Sequence, residues 1–373
     1  MTHSILFHTL DSHQRHLSAG AVCVWAALAL APARVPCQQT VGPAAGGTAN
    51  LDSMVCSRQV AIVDAVPGAI VASLDKRGLE YLRRGELDCA VRELDRAIEL
   101  NPESSRLFND RGFVYREKGD AEHAIADFDR AIYLDSSNVD ALTNRGTMYI
   151  FRGDFDQAIA AFNRVLGLRR EYATAYNNRG AAFDGRGDVA RALVNYNAAI
   201  RVRPDYSEAY YNRGILYLRR GALDSAAADL DEVTRLEPGF VNGYLYRGIA
   251  FSISGKYELA IASYGRAIKL KPGSAVAYYN RGMAYYRAGQ RERAIEDFGS
   301  AIGLKPDYAE AYNNRGSAYA AAGQLDRSIE DFDQALRLRP DYAKAQRNRA
   351  RAREAKQQRG SVASSADAAE HHP

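Results

Sequence analysis

The chain has 373 residues, of which 47% are hydrophobic and 25% are charged, and its formal net charge is +4. Lysine and arginine are interleaved with aspartate and glutamate, which argues against a nucleic-acid stripe and against a basic membrane-binding patch. The four cysteines match no metal-ligand spacing. Length alone suggests two or three domains, but the sequence is periodic, and a periodic chain forms one elongated array.

Residues 1–33 have the features of a secretory signal. An apolar, alanine-rich run from Ser18 to Ala33 ends in a small-residue cleavage pattern. The run is too short for a comfortable membrane span, so we expect no stable membrane span in the mature chain. These features predict a periplasmic or secreted protein. The leading segment carries Asp11 and only Arg15 besides its histidines, which leaves an alternative: translation from Met54 and a cytoplasmic product.

Residues 34–70 are expected to form a linker and an N-terminal cap. Residues 34–58 are rich in Pro, Gly and Ala, and a more apolar stretch follows. Cys37 and Cys56 lie in this segment and could form a disulfide in an exported protein, which would leave Cys89 single. The sequence does not decide whether they pair.

Residues 71–342 consist of 34-residue blocks without insertion or deletion. Positions 8 and 15 of every block are glycine, position 11 is aromatic, and position 20 is small. The eight blocks, numbered 1 to 8, are residues 71–104, 105–138, 139–172, 173–206, 207–240, 241–274, 275–308 and 309–342.

The conserved spacing within a block predicts two helices and a turn. Positions 4, 8 and 11 lie three and four residues apart and give the first helix, helix A, an apolar stripe. Glycine at position 8 allows a neighbouring helix to come close, and glycine at position 15 ends helix A in the left-handed conformation. The second helix, helix B, presents the small residue at 20 and a bulky residue at 24. Proline at position 32, present in all blocks except 2 and 3, is expected to end helix B.

These columns resemble the tetratricopeptide repeat, a helix-turn-helix unit of the same length. The resemblance covers about three quarters of the chain. It implies an all-α fold, a right-handed superhelical solenoid of eight repeats. Residues 343–357 continue the helix A pattern and are expected to form a capping helix that shields the last apolar stripe. Residues 358–373 are small and polar and are expected to be disordered.

Position 7 departs from the family, because it is arginine in every block instead of an apolar residue. Carboxylates occupy position 23 of helix B in several blocks, so an arginine on helix A is expected to pair with an adjacent carboxylate and to have a structural role. The arginines are Arg77, Arg111, Arg145, Arg179, Arg213, Arg247, Arg281 and Arg315, and the carboxylates are Glu93, Asp127, Asp229, Asp297 and Asp331.

Position 6 of helix A is biased to asparagine. In the geometry of the family, positions 2, 5, 6, 9 and 12 or 13 line the concave face. An amide carries both a donor and an acceptor, which matches a peptide bond, and asparagine is otherwise a poor helix residue. A ladder of such residues, about 10 Å apart, is expected to hold an extended partner segment. Bridging or capping of neighbouring helices is the alternative. The asparagine ladder comprises Asn144, Asn178, Asn212, Asn280, Asn314 and Asn348.

Blocks 5 to 7 place aromatic side chains on the same expected face. Aromatic residues in a concave patch supply much contact area at low entropic cost. The aromatic residues expected to bind peptide are Tyr211, Tyr246, Tyr279 and Tyr286. The alternative is that some of them contact the next repeat.

Catalysis finds no support in the sequence. Apart from His123, the histidines lie in the leader or in the tail, so no catalytic triad can be placed on the array. Position 5 lacks the lysine of the family members that clamp the carboxylate at the tail of heat-shock chaperones. We expect a non-catalytic scaffold or adaptor that binds an extended or helical segment of a partner protein, without cofactor, metal or nucleic acid. A cytosolic co-chaperone or assembly factor and an accessory subunit that positions an envelope enzyme remain alternatives. The partner, the pathway and the oligomeric state are not determined by the sequence.

Overall fold

The structure is a computed structural model that describes residues 67–370. In this part of the chain every element of regular secondary structure is an α-helix, and there are seventeen of them. The expected secretory signal of residues 1–33 and the expected linker up to residue 66 lie outside the described residues. The result is the all-α fold that the sequence predicts.

The helices follow the predicted blocks closely. Up to α16, odd-numbered helices are the predicted helices A and even-numbered helices are the predicted helices B. From block 2 onward, helix A begins at the first residue of its block. In chain order the helices are α1 (Pro67–Arg84), α2 (Leu87–Leu100), α3 (Ser105–Lys118), α4 (Ala121–Leu134), α5 (Val139–Arg152), α6 (Phe155–Leu168), α7 (Ala173–Gly185), α8 (Val189–Val202), α9 (Ser207–Arg219), α10 (Leu223–Leu236), α11 (Val241–Ile253), α12 (Tyr257–Leu270), α13 (Ala275–Arg287), α14 (Arg291–Leu304), α15 (Ala309–Ala321), α16 (Leu325–Leu338) and α17 (Ala343–Glu370).

The chain divides into two compact units, Met1–Ala209 and Tyr210–Pro373. Within the described part of the first unit, each helix A packs against its own helix B, and each helix B packs against the helix A of the next block. The second unit repeats this order, from α10 to α17. Each unit is therefore a stack of helical hairpins, as expected for a tetratricopeptide solenoid.

The glycine at position 15 makes the turn between helix A and helix B. All eight of these glycines have a positive φ, between 75° and 87°. After α3, the N–H of Gly119 donates to the carbonyl of Arg116 at 3.0 Å, and the N–H of Asp120 donates to the carbonyl of Tyr115 at 2.9 Å. These bonds satisfy carbonyls that the end of the helix would leave unpaired. The predicted left-handed turn is confirmed.

The glycine at position 8 lets helix A lie directly on the bulky residue of helix B. An ideal Cβ on Gly112 would lie 2.8 Å from Cε1 of Phe128, which is closer than carbon atoms approach each other. Phe128 and Ala124 are both fully buried on α4. In the core of the hairpin, the large side chain at position 24 of helix B fills the space that a side chain at position 8 of helix A would occupy. The predicted close approach of the two helices is confirmed.

Helix B ends at the same block position whether or not proline stands at position 32. Helix α4 ends at Leu134 and α6 ends at Leu168, although blocks 2 and 3 have Ser136 and Arg170 at position 32. Helix α12 of block 6 ends at the same block position, Leu270, and here Pro272 follows two residues later. The ends occur at the same block position with and without proline, so proline at position 32 is not required for helix B to end there.

The C-terminal helix corrects one boundary. Helix α17 runs from Ala343 to Glu370, beyond the predicted capping helix of residues 343–357 and through most of the stretch predicted to be disordered. The stretch is rich in alanine, which is the best helix former, and its first proline is Pro373. At the other end, α1 begins at Pro67, so residues 67–70 belong to helix A of block 1.

Cys89, expected to be single, is disulfide-bonded, and sequence spacing alone cannot determine pairing.

The position 7 arginines pair with helix B, which confirms their predicted structural role. In the second unit, Arg213 donates through Nε and Nη2 to the two carboxylate oxygens of Asp229, at 2.8 and 2.7 Å. Pairs of the same kind are Arg77–Glu93, Arg111–Asp127, Arg281–Asp297 and Arg315–Asp331. Arg111 also reaches the preceding helix B through Asp95, and Arg145, Arg247 and Arg349 form their ion pairs there, with Asp129, Asp231 and Asp333. Arg179 instead donates to two amides, those of Asn195 and Asn163. A planar guanidinium has enough N–H groups to serve both helices.

Candidate functional site

The asparagine ladder in the first unit connects successive helices A. Asn144 on α5 donates from Nδ2 to Oδ1 of Asn109 on α3 at 3.0 Å. Its own Oδ1 accepts from Nη1 of Arg116 at 3.3 Å. Both ends of the amide are therefore engaged by the preceding helix A, which is the bridging role left open as an alternative.

Asn178 on α7 is more deeply enclosed, with 3% of its surface exposed. Its Nδ2 lies 3.4 Å from Oγ1 of Thr147, to which it donates, and its Oδ1 accepts from Nδ2 of Asn177 at 3.1 Å. Its hydrogen-bonding capacity is used largely within the fold, so it supports the stacking of helices A.

The ladder in the second unit repeats this pattern at its C-terminal end. Asn314 on α15 donates from Nδ2 to the hydroxyl of Tyr279 at 2.8 Å, and Asn348 on α17 donates to Oδ1 of Asn313 at 2.9 Å. Asn313 in turn donates to Oδ1 of Asn314 at 3.0 Å. Asn212 on α9 is also buried. Position 6 thus donates repeatedly to position 5 of the preceding block, a contact that the sequence analysis did not assign.

Asn280 on α13 is different from these members of the ladder. It is buried, with 8% of its surface exposed, and no hydrogen bond of its side chain occurs within residues 67–359. The equivalents of the acceptors used by Asn314 are Leu245 and Ile249, and hydrocarbon side chains accept no hydrogen bond. The amide of Asn280 therefore keeps a donor and an acceptor that the fold does not use.

The aromatic residues form two groups in the second unit. The ring of Tyr211 packs edge-on against Tyr246 at 5.8 Å and against Phe240 at 5.2 Å, measured between ring centroids. Tyr279 lies 4.9 Å from Tyr308, again between ring centroids. Of these contacts, Tyr211–Tyr246 joins one block to the next, as in the alternative reading, whereas Phe240 and Tyr308 lie in the same blocks as Tyr211 and Tyr279.

Phe240 and Tyr308 occupy position 34, just before the next helix A, and neither is among the aromatic residues predicted to bind peptide. Their part in the packing could have been predicted from the sequence, because position 34 is aromatic in most blocks. The residues concerned are Tyr172, Tyr206, Phe240, Tyr308 and Tyr342. Tyr286 lies half-buried beside the cluster that contains Tyr279, Phe298 and Tyr308.

The aromatic groups stay neutral. Burial raises the pKa of Tyr211 and of Tyr279 well above the ordinary value of 10.0, and the neighbouring hydroxyls of Tyr246 and Tyr308 raise them further. A buried phenol loses solvation when it ionises, so these side chains present uncharged rings and hydroxyls at physiological pH. The helix A face of blocks 5 to 7 is therefore mainly apolar.

The described residues contain no group of three or more His, Cys, Asp or Glu side chains arranged to hold a metal ion. His123 stacks on Tyr115, and its Nδ1 lies 2.8 Å from Oδ2 of Asp120 at the start of α4. Within residues 67–370, no helix has both the length and the apolar character needed to cross a bilayer. What the geometry offers in blocks 5 to 7 is hydrogen bonding and apolar contact.

Solved structures with a similar fold share limited sequence identity with this chain. A TPR protein, YrrB, whose structure is described as having an unusual peptide-binding site, is 23% identical with a TM-score of 0.47, covering 51% of this chain and 97% of that chain. MamA is 28% identical with a TM-score of 0.43, covering 44% and 96%. A tetratricopeptide repeat protein from Parabacteroides merdae ATCC 43184 is 22% identical with a TM-score of 0.46, covering 66% and 98%. No curated protein matches the sequence.

Family models match along the whole array. A tetratricopeptide repeat model matches residues 76–139, 279–343 and 313–370, and a second one matches residues 207–240. A further TPR repeat model matches residues 146–184, 186–221 and 250–289. The matches agree with the helical hairpins and the glycine turns of the structure. The chain belongs to the tetratricopeptide repeat family.

Proposed function

We propose that the protein is a non-catalytic scaffold that binds a segment of a partner protein on the helix A face of blocks 5 to 7. The observation that carries the proposal is the unused amide of Asn280, which belongs to an apolar helix A face. Leu245, Tyr246, Met283 and Tyr286 belong to the same face and are only partly buried. Tetratricopeptide proteins commonly act through protein contacts, and this face offers the chemistry for one.

The two kinds of side chain would contribute differently. Partly exposed apolar side chains gain about 25 cal/mol for each Å² that a partner removes from water, so they would supply most of the affinity. An amide that meets a backbone N–H or C=O adds direction and register, because an unmatched buried polar group is costly. The partner segment is therefore expected to be mainly apolar and to hold one peptide group against Asn280.

The ladder asparagines that bridge helices are proposed to support the binding face and not to contact the partner. The amides of Asn144, Asn178, Asn314 and Asn348 already hold neighbouring helices together. They would have to break those bonds to hold a peptide, so their proposed contribution is to keep the face in shape. The residue proposed to contact the peptide backbone directly is Asn280.

The test uses the full chain and a library of displayed peptides. Peptides enriched on the wild-type protein are synthesised, and their Kd is measured by calorimetry for wild type, Asn280→Ala and Tyr246→Ala. Both variants are expected to weaken binding about 10-fold or more, which corresponds to 1.4 kcal/mol. Leu259→Ala is the matched control, because Leu259 is an exposed apolar residue on helix B. Equal binding by all four proteins, or loss only in Leu259→Ala, would contradict the proposal.

We also propose that the protein works outside the cytoplasm, in a periplasm or after secretion. The support is the apolar run of residues 18–33 with its small-residue ending. Sequencing the N-terminus of the protein from its native source tests this. A mature chain that starts at Arg34 is the expected result. A chain that starts at Met54 would support the cytoplasmic alternative instead.

A further inference from the structure

The ladder between positions 5 and 6 changes its chemistry at blocks 1 and 2. In several other blocks an asparagine at position 6 donates to position 5 of the preceding block, as Asn144 does to Asn109 and Asn348 does to Asn313. In block 2, position 6 is Asp110, and in block 1, position 5 is Asp75. An ionised carboxylate only accepts hydrogen bonds, so this step of the ladder has two acceptors and lacks its N–H donor.

Asp75 on α1 is enclosed and incompletely bonded. Only 7% of its surface is exposed. Its Oδ2 accepts from Nη2 of Arg106 at 2.8 Å, whereas its Oδ1 is buried without a hydrogen-bond partner. A buried acceptor without a donor is destabilising, and such atoms in native proteins are few. The missing donor is the one that asparagine supplies elsewhere in the ladder.

Asp110 on α3 faces the same groups. Its Oδ1 accepts from Nδ2 of Asn109 at 3.2 Å, and its Oδ2 accepts from Nε of Arg106 at 3.4 Å. The charged groups that act on Asp110 are therefore Asp75 from α1 and Arg106 from its own helix. The Arg106 side chain is 70% exposed, so water screens much of its charge. One exposed arginine therefore faces one buried carboxylate, that of Asp75, and one half-buried carboxylate, that of Asp110.

The protonation equilibrium of Asp110 agrees with this geometry. The pKa of Asp110 is raised from 3.8 to about 6, first by burial and then by the charge of Asp75, against the opposing effects of Arg106 and Asn109. Two carboxyl groups in one enclosed site disfavour double ionisation for the same two reasons.

We propose that Asp110 retains a proton, so that its carboxyl O–H donates to the unpaired Oδ1 of Asp75 and takes the place of the amide N–H in this step of the ladder. The proton comes from solvent, and the pair carries one negative charge instead of two when it is bound. The contact between α1 and α3 then matches the asparagine contact between α3 and α5. This joint becomes weaker when the proton is lost, because the donor disappears and two like charges remain.

The sign of the pH effect follows from the raised pKa. The folded state holds the proton more tightly than the unfolded chain, whose aspartates titrate near 3.8. The stabilisation is complete below that value and is lost as the pH rises through about 6. Between pH 4 and pH 8, the unfolding equilibrium constant should change on the order of 50-fold more in the wild type than in a variant without this titration.

The experiment compares the full-length wild type with Asp110→Asn, which supplies the amide donor found in the other blocks. Carboxyl carbons of aspartate are followed by ¹³C NMR during a pH titration, and the signal lost in the variant is assigned to Asp110. We expect a titration midpoint near 6 in the wild type. We also expect Asp110→Asn to raise the thermal midpoint at pH 8 clearly more than at pH 5.

Asp205→Asn is the control, because Asp205 is an exposed aspartate in the same unit. If Asp110→Asn does not fold, Asp75→Asn provides the second test: the midpoint of Asp110 should then fall below about 6, since the like charge is gone and an amide can donate, while burial still keeps the pKa above 3.8. A wild-type midpoint of Asp110 near 4, or equal stabilisation by Asp110→Asn at both pH values, would overturn the proposal. Neither measurement depends on the binding of a partner.

Discussion

Arg111 and Asp127 form a two-pronged ion pair between helix A and helix B of block 2. Nε of Arg111 donates to Oδ2 of Asp127 at 2.8 Å, and Nη2 donates to Oδ1 at 2.7 Å. The remaining Nη1 donates to Oδ1 of Asp95 on α2 at 2.6 Å. One guanidinium thus ties three elements, α3, α4 and the preceding α2. Such parallel bonds add geometric specificity to the charge attraction.

Arg111→Met should destabilise the protein by about 2–4 kcal/mol, because it leaves the enclosed carboxylate of Asp127 without a cation. The measurement is the midpoint of urea unfolding, followed by circular dichroism. Arg145→Met is the matched control. Its carboxylate partner is Asp129, whose side chain is 49% exposed, so the pair should contribute only about 0–1 kcal/mol. Equal losses in the two variants would show that burial of the carboxylate does not matter.

Glycine substitutions should separate packing from backbone freedom. Gly112→Ala should cost about 1–3 kcal/mol, because the added methyl meets the buried ring of Phe128. Gly167→Ala should instead stabilise by about 0.5–1 kcal/mol, because an added Cβ there has no atom within 4 Å and glycine is a weak helix former. Unfolding midpoints measure both effects. A stabilising Gly112→Ala would mean that α3 and α4 can separate without loss.

The ladder asparagines should differ in their contribution to stability. Asn314→Ala removes the donor to the hydroxyl of Tyr279 and should cost about 1–3 kcal/mol, since that hydroxyl is enclosed. Asn280→Ala removes no bond within the fold and should cost less than about 0.5 kcal/mol. Urea unfolding of the two variants provides the comparison. If Asn280→Ala is as costly as Asn314→Ala, the amide of Asn280 has a structural role, and the proposed binding role loses its basis.

Alkaline unfolding should report on Tyr264. This side chain is fully buried, and burial raises its pKa above the ordinary value of 10.0. The folded state therefore keeps the proton when the unfolded chain releases it, and stability falls as the pH rises above about 10. Tyr264→Phe removes this titration and should move the alkaline unfolding midpoint to higher pH. Tyr133→Phe, at a largely exposed tyrosine, should leave the midpoint where it is in the wild type.

The fold was largely readable from single positions. Gly112 and Phe128 at block positions 8 and 24 predict the close approach of helix A and helix B, and Gly119 at position 15 predicts the turn. These inferences succeed because each depends on contacts within one hairpin, where spacing along the chain determines which side chains meet. The extent of α17 differs from the prediction, because a small and polar composition indicated disorder although the stretch contains several alanines, which favour helix.

The binding face was less readable, because it depends on what the neighbouring block supplies. Asparagine at position 6 suggests an amide that is available to a partner. In the structure, the amides of Asn144 and Asn314 donate hydrogen bonds to the preceding helix A. Asn280 does not, because Leu245 and Ile249 stand where acceptors would be. The aromatic contact of Tyr279 with Tyr308 likewise required knowledge of position 34.

By itself, the sequence determined the repeat length, the helix-turn-helix unit and the pairing of Arg111 with Asp127, since all three follow from a constant spacing. Only the tertiary structure decided which polar groups are satisfied. Hydrogen bonding joins residues of different blocks, and the same asparagine is bonded or unbonded according to the side chain that the adjacent helix places against it. This difference separates Asn314 from Asn280, and it also leaves Oδ1 of Asp75 without a donor.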